Sequence, residues 1–477
     1  MGKIAKNYIY NLIYQIISII VPLVTAPYVV RVLGAKGTGV YSYVNSLVSL
    51  ITTFAMLGLF GYGNRQIAYV RDDKEKLDST FWRIMSIRAF IGVFATFVYV
   101  IVVLLNGRYY FYFFLYYTYL LGYVVDCTWL FVGVEDMKWA VLKNIFLKLF
   151  ATAMIFIFVN DTSDVGIYIF IQGGSILFAN LLAYSQLKRY VGKPKFILSN
   201  VKDDIYGSFM LFLPGMAATI YLQCDKIMIE WLGSNTAQVA QYDYAEKIVT
   251  IPLSFITVLS TVMMPRLANE FANGREHNIS ILLNKAARIS LFLAFPLSLG
   301  MVAISMKLIP WYLGREFFSS ITVINIISPI IITNTLTGIS ENQYFTATNQ
   351  IGILLKAQVT ACIGNIIINA LLIPHYGLYG AAVATLISSA VCAIVQYVYL
   401  CKQVKLPGLL YSSIKYLLFA VIMFIAIVSL TSGMEATPIT NIIQVFVGVV
   451  IYFGLCIITK DKTFFNLISV IQKRFKR

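Results

Sequence analysis

The sequence predicts an all-α polytopic membrane protein of about fourteen transmembrane helices, on three observations. Hydrophobic residues make up 59% of the 477 and charged residues 12%, and the mean hydropathy is +0.79, well outside the range of soluble globular chains. Apolar runs of about 20 residues, the length that crosses a ~30 Å hydrocarbon core, recur from end to end. The segments between them are short.

The runs place spans near 8–30, 40–60, 84–105, 111–133, 139–159, 165–186, 206–222, 237–262, 286–306, 317–338, 351–373, 380–401, 409–430 and 440–459. The first, Tyr8 to Val30, is too long for a signal-peptide core and has no small-residue cleavage site behind it, so it is expected to remain as a span. An even number puts both termini on one face. With that face cytoplasmic, most of the 37 Lys and Arg residues lie there, including the Lys473-Arg474-Phe475-Lys476-Arg477 tail, and the outer loops hold only Arg31, Lys36, Arg108, Lys307 and Arg315. The positive-inside bias therefore predicts a multi-pass protein of the cell inner (cytoplasmic) membrane with both termini cytoplasmic. Topology also accounts for the net charge of +16, since the basic residues are scattered among loops rather than gathered as a nucleic-acid surface.

Several chemistries are not indicated. The six cysteines form no CxxC or Cys/His ligand set, so neither a disulfide framework nor a metal site is expected. No P-loop, Gly-rich nucleotide site, HExxH or GxSxG occurs, which predicts no cofactor and no enzyme. The longest loops, Leu187–Ile205 and Pro265–Lys285, leave no room for a soluble domain of the kind a polysaccharide polymerase or ligase needs. Asp161 and Asp164 are the nearest thing to a catalytic carboxylate pair, and an acidic outer turn explains them more simply.

The chain reads as an internal duplication. Arg31-Val-Leu-Gly34 before Tyr41 is echoed by Glu230-Trp-Leu-Gly233 before Tyr242, and Phe131/Phe345 and Gly166/Gly380 share one offset. Two six-helix lobes in parallel pseudo-repeat follow: 1–200 with spans 1–6, 201–407 with spans 7–12, then 408–477 with two additional spans and the basic tail.

The segment Pro22-Leu-Val-Thr-Ala-Pro27-Tyr-Val-Val-Arg31-Val-Leu-Gly34-Ala-Lys-Gly37-Thr-Gly39-Val-Tyr41 resembles the opening signature of polysaccharide-transport flippases. Asp225-Lys226-Ile-Met-Ile-Glu-Trp-Leu-Gly233 with Tyr242-Asp-Tyr-Ala245-Glu-Lys247 resembles the start of that family's second half. The family belongs to the multidrug/oligosaccharidyl-lipid/polysaccharide exporter superfamily. The resemblance implies translocation of an undecaprenyl-(pyro)phosphate-linked oligosaccharide, or a related lipid-linked glycopolymer precursor, from the inner to the outer leaflet. It implies alternating access through a cationic central cavity, with the last two spans guiding the lipid tail. The partners so implied are the lipid-linked oligosaccharide, membrane lipids, and a polysaccharide polymerase and assembly proteins. An ion-coupled multidrug exporter is the rival within transport; a membrane-embedded polymerase or ligase is the rival among enzymes.

Polar residues inside the spans supply the candidate site. Asn11, Gln15, Ser18, Pro22 and Thr25 share a helical stripe, as do Thr219, Gln223, Lys226 and Glu230, and then Asp243, Glu246/Lys247, Thr250, Ser254, Thr257 and Thr261. Stripes of hydroxyls and amides also serve as packing contacts between helices. Charges are costlier, about 3 kcal/mol or more near mid-membrane, and commonly persist for function. The substrate-binding candidates are thus Arg31, Arg65, Arg88, Lys226, Lys247, Asn11, Gln15, Asn45 and Gln223, since a guanidinium fork matches phosphate oxygens. The ion-coupling candidates are Asp126, Asp225, Glu230, Asp243 and Glu246. Against these stand mutual neutralisation of Asp225 with Lys226 and of Asp243 with Lys247, and snorkelling of Arg31 and Arg65. The run Tyr109 to Tyr119 suits an interfacial aromatic belt or a surface on which sugars stack.

Overall fold

A computed structural model describes the backbone at residues 3–197, 200–233, 235–273 and 276–475. Its side chains are described from Ile13 onward except at 137, 140, 211, 214, 218, 255, 257–266, 268, 272, 276, 277, 410 and 470–475. All regular structure in these residues is helical. The helices are α1 (Lys3–Met56), α2 (Leu59–Val70), α3 (Lys74–Asn106), α4 (Tyr110–Val124), α5 (Thr128–Gly133), α6 (Met137–Phe158), α7 (Val165–Leu187), α8 (Val201–Leu232) and α9 (Ala237–Ala272). They continue with α10 (Glu276–Tyr312), α11 (Ser319–Ile327), α12 (Ile330–Gly338), α13 (Ile351–Tyr376), α14 (Leu378–Gln403), α15 (Leu409–Thr431), α16 (Pro438–Ile458) and α17 (Lys462–Phe475). A π-helical segment, Ile339–Phe345, follows α12 directly.

Among the described residues, eleven helices are long and apolar enough to cross a membrane, or twelve if the bent pair Val201–Met210 and Gly215–Leu232 is one span. The protein is therefore a multi-pass membrane protein, and the expected fourteen is approached rather than reached. Part of the gap is a merger, because Ile13–Val70 is one stretch of 58 residues, about 87 Å of helix at 1.5 Å per residue and far more than one crossing needs. Gly34 interrupts it with φ 68°, ψ 175°, a conformation open to glycine and costly for a residue with a Cβ. A second interruption follows at Leu57 and Gly58, both at positive φ. The sequence reading takes 31–39 as a loop, but a single residue suffices for the break. The expected eighth span lies in α9, whose middle side chains fall outside the described residues.

Lipid-facing surfaces explain why these helices stay apolar all round. On α3, Ile84, Ile87 and Tyr99 are buried, while Phe90, Phe94, Phe97 and Leu105 stand 63–82% exposed. That surface would drive aggregation in water and belongs against acyl chains. Some hydroxyls of the stripes are satisfied within their own helix: Thr25 donates to the Val21 carbonyl, Thr219 to Gly215 and Thr250 to Lys247, whereas Ser18 Oγ is buried with no partner among the described residues. The satisfied members need no cavity to account for them.

The chain forms two compact units, Met1–Ala240 and Gln241–Arg477. In the first, α1 packs on α3, α4, α6 and α8, α4 on α7, and α2 on α5. The sequence reading starts the second lobe at 201, whereas α8 packs with the first unit, on α1 and α2. In the second unit, α10, α15 and α16 surround one apolar cluster around Phe292, Tyr416 and Tyr452. The two spans after 407 are thus built into that unit. Outside the spans, Asp73 caps α3 by accepting from the amides of Lys76 and Glu75, which holds its carboxyl below the usual carboxylate range.

Gly39 of the first motif is a packing residue. A Cβ on Gly39 would lie 2.1 Å from the Thr236 carbonyl oxygen, whereas one on Gly61 would meet nothing within 4 Å. Gly39→Ala should therefore lower stability by about 1–3 kcal/mol and Gly61→Ala should not, as measured by thermal unfolding of the purified protein in detergent. Equal melting temperatures for the two variants would contradict this packing.

Candidate functional site

The first unit contains a buried ionic cluster built from four helical segments. Helix α4 ends at Val124 and α5 starts at Thr128, and Asp126 sits in the break. Its Oδ1 accepts the Thr128 amide at 3.0 Å and the Thr128 hydroxyl, so the first residue of α5 holds the carboxylate in a local turn. From α6, Lys143 Nζ lies 3.6 Å from Asp126 Oδ1, with the two side chains 10% and 13% exposed. Lys143 also donates to Thr128 Oγ1 at 2.5 Å and to Asn180 Oδ1 on α7, and Asn180 Nδ2 in turn donates to the Gly122 carbonyl at 2.8 Å. From α3, the Arg88 guanidinium is wholly buried. Its Nη2 donates to Met56 Sδ at 3.1 Å and to the Tyr123 carbonyl, while Nε and Nη1 have no partner among the described residues. The Asp126 charge is the carboxylate field that reaches it. Two cations face one carboxylate, so the cluster carries excess positive charge in a low-dielectric setting where charge interactions are strong.

Next to it runs a ladder of tyrosines on α4. Tyr116 stacks on Tyr119 and Tyr119 packs against Tyr123, each at 4.9 Å, and Tyr116 donates to Asn45 Oδ1 at 2.7 Å. The aromatic run thus has two faces: Tyr110, Phe111 and Phe114 are exposed in the manner of a lipid-side belt, while Phe113 and Tyr116 are buried. A cavity of 350 Å³ beside Lys143 is walled by Phe131, Trp139 and Phe146.

The structure brings together only part of the expected set. Arg88 lies within electrostatic reach of Asp126, and Asp126 pairs with Lys143, which the sequence reading counts among the inner-side cations because it lies near the start of a span. No local signal marks Lys143, since its partners come from α4, α5 and α7. Asp243, buried, pairs with Lys247 at 2.6 Å, the expected one-turn neutralisation. Glu230 is not in the cluster; it pairs with Arg108 at 3.2 Å. Asp225 and Lys226 are both buried, Glu246 and Gln223 are half-buried, and Gln15, Arg31 and Arg65 are exposed. Asn11 lies outside the residues whose side chains are described. Asp161 and Asp164 form a capping box on the turn Thr162–Asp164, a structural use of both carboxylates. The sequence reading also passes over Glu341, which accepts from Gln358 Nε2 at 3.2 Å within the π-helical segment.

The second unit carries an apolar groove of 240 Å³ between α10, α15 and α16, lined by Pro296, Gly300, Met423, Gly448 and Tyr452 among others. Its walls offer acyl-chain chemistry and no charge.

Removing one member of a buried pair leaves the other uncompensated, a cost of about 3–5 kcal/mol. Lys143→Met and Asp126→Asn should each destabilise the protein, and the double variant should recover part of the loss, giving a coupling of at least ~1 kcal/mol in a double-mutant cycle. Additive losses in detergent melts would mean that the two groups do not interact.

Comparison with known proteins places this geometry. A family model described as polysaccharide biosynthesis protein matches residues 4–271. The "Putative O-antigen transporter" of Escherichia coli (strain K12) is 25% identical over 333 residues, covering 69% of this chain and 80% of its own length. The fold is similar to that of the lipid II flippase MurJ in its inward closed conformation, with a TM-score of 0.67 at 15% identity over 96% of this chain and 99% of that one. It is also similar to an outward-facing multidrug resistance MATE family transporter of the MOP superfamily, with a TM-score of 0.57 at 15% identity over 83% and 94%. The matched model spans more than half of the sequence and includes every helix of the ionic cluster: the chain belongs to the polysaccharide biosynthesis protein family.

Proposed function

We propose that the protein is a flippase that carries a lipid-linked glycan, of the undecaprenyl-(pyro)phosphate-linked oligosaccharide class, from the inner to the outer leaflet by alternating access, with both termini cytoplasmic. The observation that carries this reading is the excess positive charge of the Arg88–Asp126–Lys143 cluster, buried within spans in a protein whose relatives are named as transporters and flippases. A (pyro)phosphate moving through the membrane needs a desolvated cation to offset its own loss of hydration. The apolar groove between α10, α15 and α16 supplies the complementary chemistry for the isoprenoid tail.

A deletion strain should accumulate lipid-linked glycan on the cytoplasmic leaflet, detected by mass spectrometry, and lose surface polymer. Arg88→Ala and Arg31→Ala should reproduce much of that loss at wild-type protein level. Lys188→Ala, on the exposed cytoplasmic side, should not, because solvent and salt screen it. Unchanged export in the deletion strain sinks the reading.

Five carboxylates, Asp126, Asp225, Glu230, Asp243 and Glu246, lie in or beside the spans, and the reading assigns ion coupling to at least one of them, because the protonation or cation binding of a carboxylate in low dielectric responds to changes in its surroundings. Asp225, wholly buried, is the first to test. In proteoliposomes with imposed pH, sodium and potential gradients, Asp225→Asn should abolish the gradient dependence of flipping seen in the wild type. A wild type indifferent to every gradient removes the coupling step.

A further inference from the structure

A second polar site lies in the first unit, at the end of the helices that the charge bias assigns to the outer face, and neither the ionic cluster nor the groove uses it. It is a pocket of 460 Å³ where the turn between α3 and α4 meets the end of α8, within the ~300–1,000 Å³ of ligand-binding pockets. Three aromatic rings, Tyr43, Tyr109 and Trp231, and three polar groups, Asn106, Arg108 and Glu230, line it over an apolar floor.

Its polar groups are fixed in advance. The Glu230 side chain is 5% exposed, and its Oε1 accepts from Arg108 Nη1 at 3.2 Å, from the Tyr109 hydroxyl at 3.0 Å and from Thr236 Oγ1 at 3.2 Å. Its Oε2 is buried with no hydrogen-bond partner among the described residues, and a buried carboxylate oxygen without a donor is costly. Trp231 stands 63% exposed, yet its Nε1 donates to the Tyr43 hydroxyl at 2.8 Å, and Asn106 Nδ2 donates to the same hydroxyl. The indole is thus an immobilised, open aromatic face.

We propose that this pocket is a saccharide-binding subsite that takes a neutral pyranose ring of the transported glycan at the outer face; it rests on the flippase reading above. The charge balance selects the ligand. Arg108 and Glu230 cancel, so the site has no excess charge to hold a phosphate, whereas a sugar presents hydroxyl donors to a carboxylate and an apolar C–H face to aromatic rings. An interfacial belt of Trp and Arg calls for neither a pinned indole nor a buried carboxylate beneath it. The site gives the emerging glycan a second hold after its phosphate leaves the cationic cluster, and it makes release depend on the sugar as well as the lipid.

The test uses the full chain in a glycan-producing strain, with the photo-crosslinking residue p-benzoylphenylalanine at Leu105, which lines the pocket and is 82% exposed. The expected adduct has the mass of the lipid-linked glycan and disappears in a strain unable to assemble the glycan. Glu230→Gln and, as a variant that should not disturb folding, Trp231→Ala should each reduce adduct and export about tenfold, the scale of one lost charge-assisted hydrogen bond or stacking contact. Phospholipid adducts alone, no adduct, or a glycan adduct that neither variant weakens would each overturn the proposal. If the chain-deleted strain exports normally, it is the flipping reading that fails, and with it the ligand assigned here; if that strain accumulates glycan while the crosslink is negative, only the subsite fails.

Discussion

Charge taken out of water must be answered by charge or by hydrogen-bond donors, and the first unit is organised around one such answer. Lys143, Asp126, Thr128, Asn180 and Arg88 come from α3, the α4–α5 break, α5, α6 and α7, and in hydrocarbon none of these groups could stand alone. The requirement fixes more than the charges. The carboxylate that pairs with Lys143 sits in the break between α4 and α5 and accepts from Thr128 at the start of α5. The cluster also sets the register of α7, through Asn180 and the Gly122 carbonyl. The cluster is incompletely satisfied, with two guanidinium nitrogens of Arg88 lacking partners among the described residues. Structural ion networks normally avoid that condition, and binding sites often retain it.

Glycines and broken helices supply the geometry that this cluster requires. Gly34 splits α1 with one residue, Gly39 lets the backbone at Thr236 approach, and Gly63 leaves room for the Trp129 ring, which a Cβ would meet at 2.6 Å. Where chains pack in lipid there is no solvent-derived force to bring helices together, so close approach and shared hydrogen bonds do that work. Trp129 then stacks on Phe81 at 5.2 Å, one residue beyond the Thr128 that touches both Asp126 and Lys143. Packing and electrostatics are thereby tied to the same short helix.

The neutral aromatic pocket and the cationic cluster lie at opposite ends of one helix. Tyr109 at the start of α4 belongs to the pocket with Glu230 and Trp231, while Tyr123 at its other end offers its carbonyl to Arg88. Tyr116 and Tyr119 lie between them. The cluster is ionic, the pocket aromatic with a neutralised ion pair, and the groove between α10, α15 and α16 apolar.

The sequence by itself determined the class of the protein and most of its spans, because apolar length is a local, additive signal that survives any packing arrangement. It also singled out Arg88, Asp126 and the Asp243–Lys247 pair, since a charge inside an apolar run is conspicuous and a one-turn spacing is visible in one dimension. Only the tertiary structure decided which charges meet. Lys143 looked like one more cation on the inner side until α4, α5 and α7 closed around it, and Glu230 looked like a carboxylate of the seventh span until the α3–α4 turn brought Arg108 to it. It also decided that α8 packs on α1, where the sequence suggested a new lobe. Pairing between distant helices depends on crossing geometry and side-chain reach, and neither leaves a periodic mark in the chain.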